Sequence, residues 1–278
     1  METGGTPEVS VRVVTYNHGQ FIADALESAI HQKTSFDFEI VIGEDQSTDD
    51  TRSIVKEYEE KYPGLLRVKY HEVNRGRQFN YYDTLSRCRG RYIALLDGDD
   101  YWISQDKLQI QYEFLEEHKE YPLCFHNNKV EWADGSQPVR TVIRDKSTYT
   151  LDDMLRTNYV MPSAAMFRAE LIPEISSVYD GVPFCDWPFY LAMARQGPLY
   201  AIPEVMGVKR VQGQGVWTSM SKQKQLQSTV DFYLAVLQEG LFDETVVNDL
   251  IEQTQALIKQ RSIKSRLIDR LKNVFNGE

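Results

Sequence analysis

The sequence predicts an α/β protein with a mostly parallel central sheet, helices on both faces of that sheet and a helical C-terminal extension. The first hundred residues alternate short runs rich in valine and isoleucine with runs whose apolar residues recur at helical spacing. This order places parallel strands side by side and covers both faces of the sheet with the connecting helices. With 278 residues, the chain is long enough for one large domain or two small ones.

The elements of the first half follow each other closely. In chain order they are strand Val9–Thr15, a helix over Phe21–Ile30, strand Phe38–Gly43, helix Thr51–Lys61, strand Leu66–His71, helix Phe79–Arg87 and strand Tyr92–Leu96. Pro63 and Gly64 stop the second helix, because neither residue continues a helix well. Right-handed crossovers bring the loops after the strands to one edge of the sheet, where such folds bind ligands.

The second half is less regular. Its predicted elements are helix Asp106–Lys119, strands Leu123–Val130 and Val139–Ile143 around an Asp134-Gly135 turn, strand Met161–Phe167, a helix from about Trp187, a glycine-rich stretch over 207–215, and helices after Ser221 that break near Gly240. We therefore expect a main domain over residues 1–220, with halves 1–105 and 106–220, and a helical extension over 221–278.

The composition argues against several classes of function. The net charge is −10 and the pI about 5.1, whereas proteins that bind nucleic acid non-specifically are basic, so we expect no nucleic-acid partner. Cys88, Cys124 and Cys185 lie far apart and form no CxxC, which favours a reducing cytoplasmic location and no structural zinc. The N-terminus has no signal-peptide pattern, and no apolar run approaches the roughly 20 residues of a membrane span.

An acidic turn follows the fourth predicted strand. Asp97 and Asp99 flank Gly98, so two carboxylates on a tight turn can face one divalent cation. Oxygen ligands of this kind suit Mg²⁺ or Mn²⁺, which also binds the oxygens of a diphosphate. The alternative is an ordinary solvated turn.

Two further carboxylates stand at places where chemistry is expected. Asp45 follows the second strand, where a carboxylate can accept a hydrogen bond from a nucleotide; the alternative is that it only builds the turn. Asp186 has aromatic and apolar neighbours, which would raise its pKa toward the range of a general base. The alternative for Asp186 is a helix N-cap.

Taken together, these segments resemble the family 2 glycosyltransferases with the GT-A fold. The matching segments are Val14–His18, Glu39–Thr51, Asn74–Gly76 with Asn80, Gly90–Trp102, Asp106–Leu108, Asp186–Trp187, Ile202–Val205 and Gly215–Trp217. They occur in the family's order over residues 9–218, and the chain after Ser221 lies outside the resemblance.

The resemblance implies an inverting transfer of a sugar from a nucleoside-diphosphate sugar, with UDP or dTDP expected, to a hydroxyl of a saccharide or lipid-linked saccharide. A bacterial surface polysaccharide is the implied product class. One base suffices, because direct displacement at the anomeric carbon forms no covalent intermediate. The residues implicated are, for the nucleotide, Thr15, Tyr16, Asn17, Asp45, Asn80 and Asp97; for a Mn²⁺ or Mg²⁺ ion, Asp97 and Asp99; and, as the general base, Asp186.

The chain departs from the family pattern at the Arg-x-His that many relatives carry. Gln212 stands at the histidine position, and a neutral amide is a poorer ligand for Mn²⁺ than imidazole. Lys209 and Arg210 could contact phosphate instead, and Trp187 and Trp217 are expected on the phosphate or acceptor side. The departure leaves a second hypothesis, a protein of the same fold that binds a nucleotide sugar without transfer activity.

The C-terminal segment combines positive charge with an apolar face. Residues 256–275 hold six lysines and arginines and one aspartate. Such a helix can lie on an anionic membrane surface, which suits a lipid-linked acceptor; the alternative is packing on the body of the protein or on a second copy. The cations are Lys259, Arg261, Lys264, Arg266, Arg270 and Lys272, and the apolar residues are Leu257, Ile258, Ile263, Leu267, Leu271, Val274 and Phe275.

Overall fold

The structure is a computed structural model that describes residues 5–175, 177–213, 217 and 219–275, with the backbone alone at 178 and 263–275. Its strands are β1 (Val9–Thr15), β2 (Phe38–Glu44), β3 (Leu66–Tyr70), β4 (Tyr92–Asp97), β5 (Tyr101–Trp102), β6 (Leu123–Trp132), β7 (Arg140–Val142), β8 (Thr148–Tyr149), β9 (Ala165–Arg168) and β10 (Leu199–Val211). Its α-helices are α1 (Ile22–Ile30), α2 (Thr51–Lys61), α3 (Arg77–Ser86), α4 (Lys107–Glu117), α5 (Leu151–Arg156), α6 (Asp186–Ala194), α7 (Lys222–Glu239) and α8 (Glu244–Phe275).

The strands form one sheet in the order β3-β2-β1-β4-β9-β6-β10-β5, with β7 beside β6 and β8 beside β10. Strands β3, β2, β1 and β4 are parallel neighbours, and β6 runs parallel to β10. The antiparallel pairs extend over only two or three residues each. The predicted α/β fold with a mostly parallel sheet is therefore confirmed, and its strand order reverses at β1.

Strand β1 shows why this half folds as the sequence predicts. Val9, Val11 and Val13 are fully buried on one face, in the same core as Leu26 of α1. Burying one such side chain stabilises the fold by about 1.5–3 kcal/mol. The other face of β1 is also buried and carries Arg12. Burial on both faces is what a strand inside a parallel sheet requires.

The main differences from the sequence-based expectation lie in the second half. Strand β10 continues through residues expected to form an irregular glycine-rich stretch, because shifts of register near Pro203 and Gly207 absorb the two residues that disfavour a strand. The predicted strand from Met161 begins only at Ala165, after a 3₁₀ turn over Pro162–Ala164. Helix α5 was not predicted.

The chain forms two compact units. One comprises Met1–Pro173 with Asp186–Val211, and holds all the described strands and α1–α6. The other comprises Glu174–Cys185 with Gln212–Glu278, and holds α7 and α8. The domain limits expected from the sequence, 1–220 and 221–278, stay a prediction.

The second unit contains the expected helical C-terminal segment. Helix α7 ends at Gly240, whose φ of 70° lies in the left-handed region that glycine adopts without strain. Phe232 and Val236 of α7 and Val247 of α8 are fully buried. In the described part of the chain, every helix is too short or too polar to cross a membrane. The apolar and basic side chains expected to face a membrane lie, from residue 263 onward, outside the described side chains.

Candidate functional site

The candidate site lies where β1, β2 and β4 end, at the point where the strand order reverses. The loops that follow β2 and β4 are both hydrogen-bonded to the last two residues of β1, where the first loop begins. The Val14 carbonyl accepts the N–H of Gly98, and the Thr15 carbonyl accepts the N–H of Asp45. A Cβ on Gly98 would lie 2.7 Å from Thr15 Oγ1, so only glycine fits this approach. The first loop and the acidic turn are therefore in direct contact.

The acidic turn gathers three carboxylates. Asp97, Asp99 and Asp100 each offer an oxygen, and these oxygens lie within 4.8 Å of one another. Asp97 and Asp99 are partly exposed, whereas Asp100 is fully buried. Oxygen ligands at this separation fit Mg²⁺ or Mn²⁺. The binding of a divalent cation by Asp97 and Asp99 stays a prediction, with which this spacing of oxygens is compatible.

Asp100 holds the turn in place. Its Oδ1 accepts the N–H of Arg210 at 2.8 Å, its Oδ2 accepts the Ser163 hydroxyl at 2.7 Å, and Oδ2 lies 3.6 Å from Lys209 Nζ. Burial raises the pKa of the Asp100 carboxyl, and the charge of Lys209 opposes this effect. Asp100 thus ties the acidic turn to β10 and to the 3₁₀ turn before β9. Nothing near Asp100 in the sequence indicates this role, because its partners lie more than 60 residues away.

Lys209 and Arg210 follow each other on β10 and have different surroundings. The carboxylate of Asp100 raises the pKa of Lys209, and Asp99 and Asp97 act in the same direction, so Lys209 carries a positive charge beside the acidic turn. The Arg210 guanidinium pairs with Asp24 at 2.6 Å and lies 4.3 Å from the centre of the Tyr101 ring. Of the two predicted phosphate ligands, Lys209 is the one that faces the carboxylates.

Arg12 is a cation that the sequence analysis missed. Its side chain is fully buried on β1, lies 3.8 Å from Asp97 Oδ1, and stacks 4.2 Å from the centre of the Tyr81 ring. None of its guanidinium nitrogens has a hydrogen-bond partner among the described residues. An arginine stays charged in proteins, so a permanent positive charge lies behind Asp97. The signal in the sequence is a charged residue in the middle of a valine-rich strand.

Asp45 anchors the loop before α3. Its Oδ1 accepts the N–H of Arg75 at 2.8 Å and its Oδ2 accepts the N–H of Gly76 at 2.9 Å, and the residue is 2% exposed. The structure therefore contains the turn-building role that was the alternative for Asp45. Each oxygen keeps a second lone pair, so the contact with a nucleobase stays a prediction.

The residues after β1 are joined to the loop after β2. Asn17 adopts a positive φ of 55°, its backbone N–H donates to Ser47 Oγ at 2.9 Å, and its Oδ1 accepts the N–H of Thr48 at 2.8 Å. Tyr16 is 42% exposed beside it, and Thr15 is buried at the end of the strand. These contacts bring the three predicted nucleotide residues to the mouth of the site.

Asn80 is buried beneath the end of β2. Its Nδ2 donates to the Gly43 carbonyl at 2.9 Å, and its Oδ1 lies 3.2 Å from both His71 Nε2 and Thr84 Oγ1. These contacts are with protein groups, and they fix α3 against β2. The predicted contact of Asn80 with a nucleotide stays a prediction.

Asp186 is the first residue of α6 and is partly buried. Loss of solvent raises the pKa of its carboxyl above the ordinary aspartate value, and the charge of Arg77 and a hydrogen bond from Asn158 work against that shift. The negative charge of Asp97 raises the pKa further. A carboxyl with a raised pKa that interacts electrostatically with the acidic turn is suited to accept a proton.

The remaining predicted site residues are separated between the two units. Trp187 is buried, and its Nε1 donates to the Met154 carbonyl at 2.7 Å. Gln212 and Trp217 belong to the second unit, where Trp217 packs edge-on against Phe184 at 5.6 Å. Residues 215 and 216, which form part of the last matching segment, lie outside the described residues. The roles of Trp187, Gln212 and Trp217 stay predictions.

Comparison with solved structures defines the class of fold. The structure resembles Staphylococcus aureus TarS 1–349 in complex with UDP-GlcNAc, with a TM-score of 0.64 at 19% identity over 89% of this chain and 71% of that chain. It also resembles the mannosyltransferase PcManGT from Pyrobaculum calidifontis with GDP-Man and Mn²⁺, with a TM-score of 0.63 at 20% identity over 92% and 70%. These likenesses confirm the GT-A fold.

The sequence comparison then names the family. The model of Glycosyl transferase family 2 matches residues 10–176, so the chain belongs to that family. A protein of Mycobacterium tuberculosis named as uncharacterized is 34% identical over 215 residues, 76% of this chain and 61% of its own length. TuaG of Bacillus subtilis, named as a teichuronic acid biosynthesis glycosyltransferase, is 35% identical over 173 residues, 62% and 67%. The chain thus spans about three fifths of the mycobacterial relative.

Proposed function

We propose that this protein transfers a sugar from a nucleoside-diphosphate sugar to a hydroxyl of a saccharide or lipid-linked saccharide acceptor. The observation that carries the proposal is the cluster of carboxylates in the acidic turn, Asp97 to Asp100, at the reversal point of the sheet, together with a partly buried Asp186 whose carboxyl interacts electrostatically with Asp97. Membership of family 2 supports the reaction class.

The donor side rests on Asp97 and Asp99. Their carboxylates are partly exposed and lie close enough together to bind one divalent cation, whereas the oxygens of the buried Asp100 are bonded to Arg210 and Ser163. Mn²⁺ or Mg²⁺ bound there would offset negative charge on the leaving diphosphate. Lys209 supplies a positive charge on the same side. The expected nucleotide is UDP or dTDP; a structural relative solved with UDP-GlcNAc and another solved with GDP-Man and Mn²⁺ support a nucleotide-sugar donor with a metal.

The acceptor side rests on Asp186. In the proposed reaction Asp186 removes the proton of the acceptor hydroxyl while that oxygen attacks the anomeric carbon, and the bond to the diphosphate breaks with its electron pair on the diphosphate oxygen. Attack opposite to the leaving group inverts the anomeric configuration. One base and one site of charge relief are sufficient for this displacement.

The acceptor and the location of the reaction form the next part of the proposal. The name of the Bacillus relative supports a cell-surface polysaccharide as the product class, and such an acceptor is often held at a membrane. We expect the protein to be cytoplasmic and its basic C-terminal segment, residues 256–278, to make peripheral contact with an anionic membrane. Deleting residues 256–278 should abolish sedimentation with phosphatidylglycerol vesicles. Unchanged sedimentation, or none with the full chain, would favour packing of the tail on the body or on a second copy.

A thermal-shift panel tests the donor site. UDP, dTDP, GDP and CMP are added with and without Mn²⁺ to the wild type, to Asp99→Asn and to Asp37→Asn, which replaces an exposed aspartate away from the turn. A nucleotide at ten times its dissociation constant stabilises by about 1.4 kcal/mol, or about 2–4 °C for a chain of this length. We expect one nucleotide to give a metal-dependent shift that is lost in Asp99→Asn and kept in Asp37→Asn.

Release of nucleotide from sugar nucleotides tests the chemistry. UDP-GlcNAc, UDP-glucose, dTDP-glucose and GDP-mannose are the donors, and water serves as the acceptor. We expect Asp186→Asn to lower the release rate by at least 100-fold, because positioned general bases contribute typically 10²–10⁴-fold. A nucleotide-dependent thermal shift without release from any donor would favour the second hypothesis, a protein that binds a nucleotide sugar without transfer.

A further inference from the structure

The carboxylate of Asp186 is held by a side chain that the sequence does not mark. Asn158 lies in the segment between α5 and the 3₁₀ turn over Pro162–Ala164, and its Nδ2 donates to Asp186 Oδ2 at 2.9 Å. Its Oδ1 accepts the N–H of Val160 at 3.2 Å. An amide nitrogen cannot accept and a carboxylate cannot donate, so the two bonds fix which way the Asn158 amide points.

The segment that carries Asn158 is itself fixed to the start of α6. Trp187, the residue after Asp186, donates its buried Nε1 to the Met154 carbonyl in α5 at 2.7 Å. Helix α5 begins with a capping box, in which Thr150 and Asp153 satisfy each other's backbone N–H groups. The α5 segment therefore joins the start of α6 at two adjacent residues, Asp186 and Trp187.

The charges around Asp186 come from several elements. The groups that act on it or respond to it are Arg77 at the start of α3, Asp97 at the end of β4, Tyr190 on α6 and Lys209 on β10. Loss of solvent raises the pKa of Asp186, and the hydrogen bond from Asn158 is one of the contributions that lower it. Asn158 is a neutral donor, so it orients the carboxylate without adding a charge that could bind the diphosphate.

We propose that Asn158 is the positioning residue of the general base: it holds the Asp186 carboxylate in the orientation that accepts the acceptor's proton and keeps that carboxylate ionised. The inference rests on the proposed role of Asp186. Asn158 contacts the base and not the reacting atoms. Its loss should therefore affect proton removal, while binding of the donor, which occurs at the acidic turn, is unaffected.

The first test measures the titration of Asp186 directly. Carboxyl ¹³C NMR of the full chain labelled at aspartate is recorded across pH for the wild type, Asn158→Ala and Asn158→Asp, and the Asp186 signal is identified by its absence in Asp186→Asn. We expect Asn158→Ala to raise the pKa of Asp186 by about one unit, since a hydrogen bond to a charged group is worth about 1.5–3 kcal/mol and a water can replace part of it. Asn158→Asp keeps the shape of the side chain and adds a like charge, so its shift should be larger.

The second test uses nucleotide release from the sugar nucleotide that gives the highest rate with the wild type. We expect Asn158→Ala to lower kcat about 10-fold with an unchanged KM for the donor, and to move the acidic limb of the pH profile upward by the shift seen in the NMR titration. Asn248→Ala, at an exposed asparagine of α8, is the matched control and should change neither.

The outcomes separate this inference from the function on which it rests. If Asp186→Asn abolishes release while Asn158→Ala leaves both the Asp186 titration and the pH profile unchanged, the positioning role is overturned and the base remains. If Asp186→Asn releases nucleotide at the wild-type rate, the proposed base is refuted. An equal fall in kcat for Asn158→Ala at every pH, with no shift in the titration, would mark a purely structural residue and overturn the inference.

Discussion

Replacing Lys107 with methionine tests how the core beneath the acidic turn tolerates a charge. Lys107 begins α4, is fully buried, and its Nζ has no hydrogen-bond partner among the described residues. The ammonium group lies 3.9 Å from the centre of the Trp102 ring. Trp102 in turn donates to the Ser163 carbonyl at 2.7 Å, and the Ser163 hydroxyl donates to Asp100. Lys107 therefore contacts Trp102, the first residue in a series of contacts that supports the acidic turn.

Burial lowers the pKa of Lys107 from 10.5 to about 7. A shift of this size corresponds to a destabilisation by the charged lysine of about 4–5 kcal/mol, at 1.36 kcal/mol for each unit. Because the folded pKa is the lower one, the unfolded chain binds more protons between pH 7 and 10.5, so the contribution of Lys107 to stability rises with pH in that window. The destabilising effect of the lysine is complete below pH 7.

Methionine has a similar volume and no charge. We expect Lys107→Met to be more stable than the wild type by about 4–5 kcal/mol below pH 7, and this advantage to fall toward zero by pH 10.5. Urea unfolding at several pH values between 6 and 10 gives the free energy of unfolding of each protein. In the difference between the two proteins, the contributions of the other titrating groups cancel. Lys33→Met, at an exposed lysine, should show no such trend. A difference that stays constant with pH would refute the reasoning, because Lys107 would then titrate as an ordinary lysine.

Two further predictions concern the loops of the site. Gly98→Ala should lower the free energy of unfolding by about 1–3 kcal/mol and weaken nucleotide binding, because the new Cβ would lie 2.7 Å from Thr15 Oγ1. The control in urea unfolding is Gly181→Ala, where a Cβ meets nothing within 4 Å. Equal stabilities of the two variants would contradict the close approach at Gly98. Asp45→Asn should speed hydrogen exchange at the amides of residues 75–76 several-fold, because an amide side chain offers one acceptor oxygen where the carboxylate offers two. Unchanged exchange would show that the carboxylate does not hold that loop.

The sequence predicts the first half of the fold well because local and global signals agree there. Strand β1 and helix α2 have the predicted limits, Val9–Thr15 and Thr51–Lys61. Each is a run with one clear period, and each ends at residues that favour a turn. Just before α2 the carboxylate of Asp49 accepts the N–H of Thr51 at 3.0 Å, the turn that an aspartate two residues before a helix favours.

The second half is harder to predict because tertiary pairing overrides local preference. Pro203 and Gly207 disfavour a strand, yet β10 continues past both with β6 on one side, and the shifts of register at these residues keep the pairing. Helix α5 is too short to show a helical period over its six residues. Its start does carry a local signal, since Thr150 and Asp153 have the spacing of a capping box.

Within the candidate site, long-range contacts limit prediction from the sequence even more strongly. Its carboxylates could be located from the sequence, because they follow strands whose ends meet at one edge. Their partners could not, because Arg12 contacts Asp97 from the neighbouring strand β1 and Asn158 reaches Asp186 from a segment 28 residues earlier. A charged residue inside a valine-rich strand marks Arg12 as unusual but does not indicate its partner, and no local pattern marks Asn158.

Hydrogen bonding separates the aspartates at this edge into two groups that the sequence alone does not distinguish. Asp45, Asp49 and Asp100 each have both carboxylate oxygens accepting hydrogen bonds, and in each case at least one donor is a backbone N–H of another segment. Such bonds keep a loop in place, and exchanging one of them for a ligand would leave a backbone N–H without a partner, at a cost of about 1–3 kcal/mol. The carboxylate of Asp97 instead lies beside the Arg12 guanidinium, and that of Asp186 accepts a hydrogen bond from the Asn158 side chain. Exchanging the Arg12 ion pair or the Asn158 hydrogen bond for a ligand would leave no backbone N–H of another segment without a partner, which is compatible with the proposed roles of Asp97 at the metal and of Asp186 as the base.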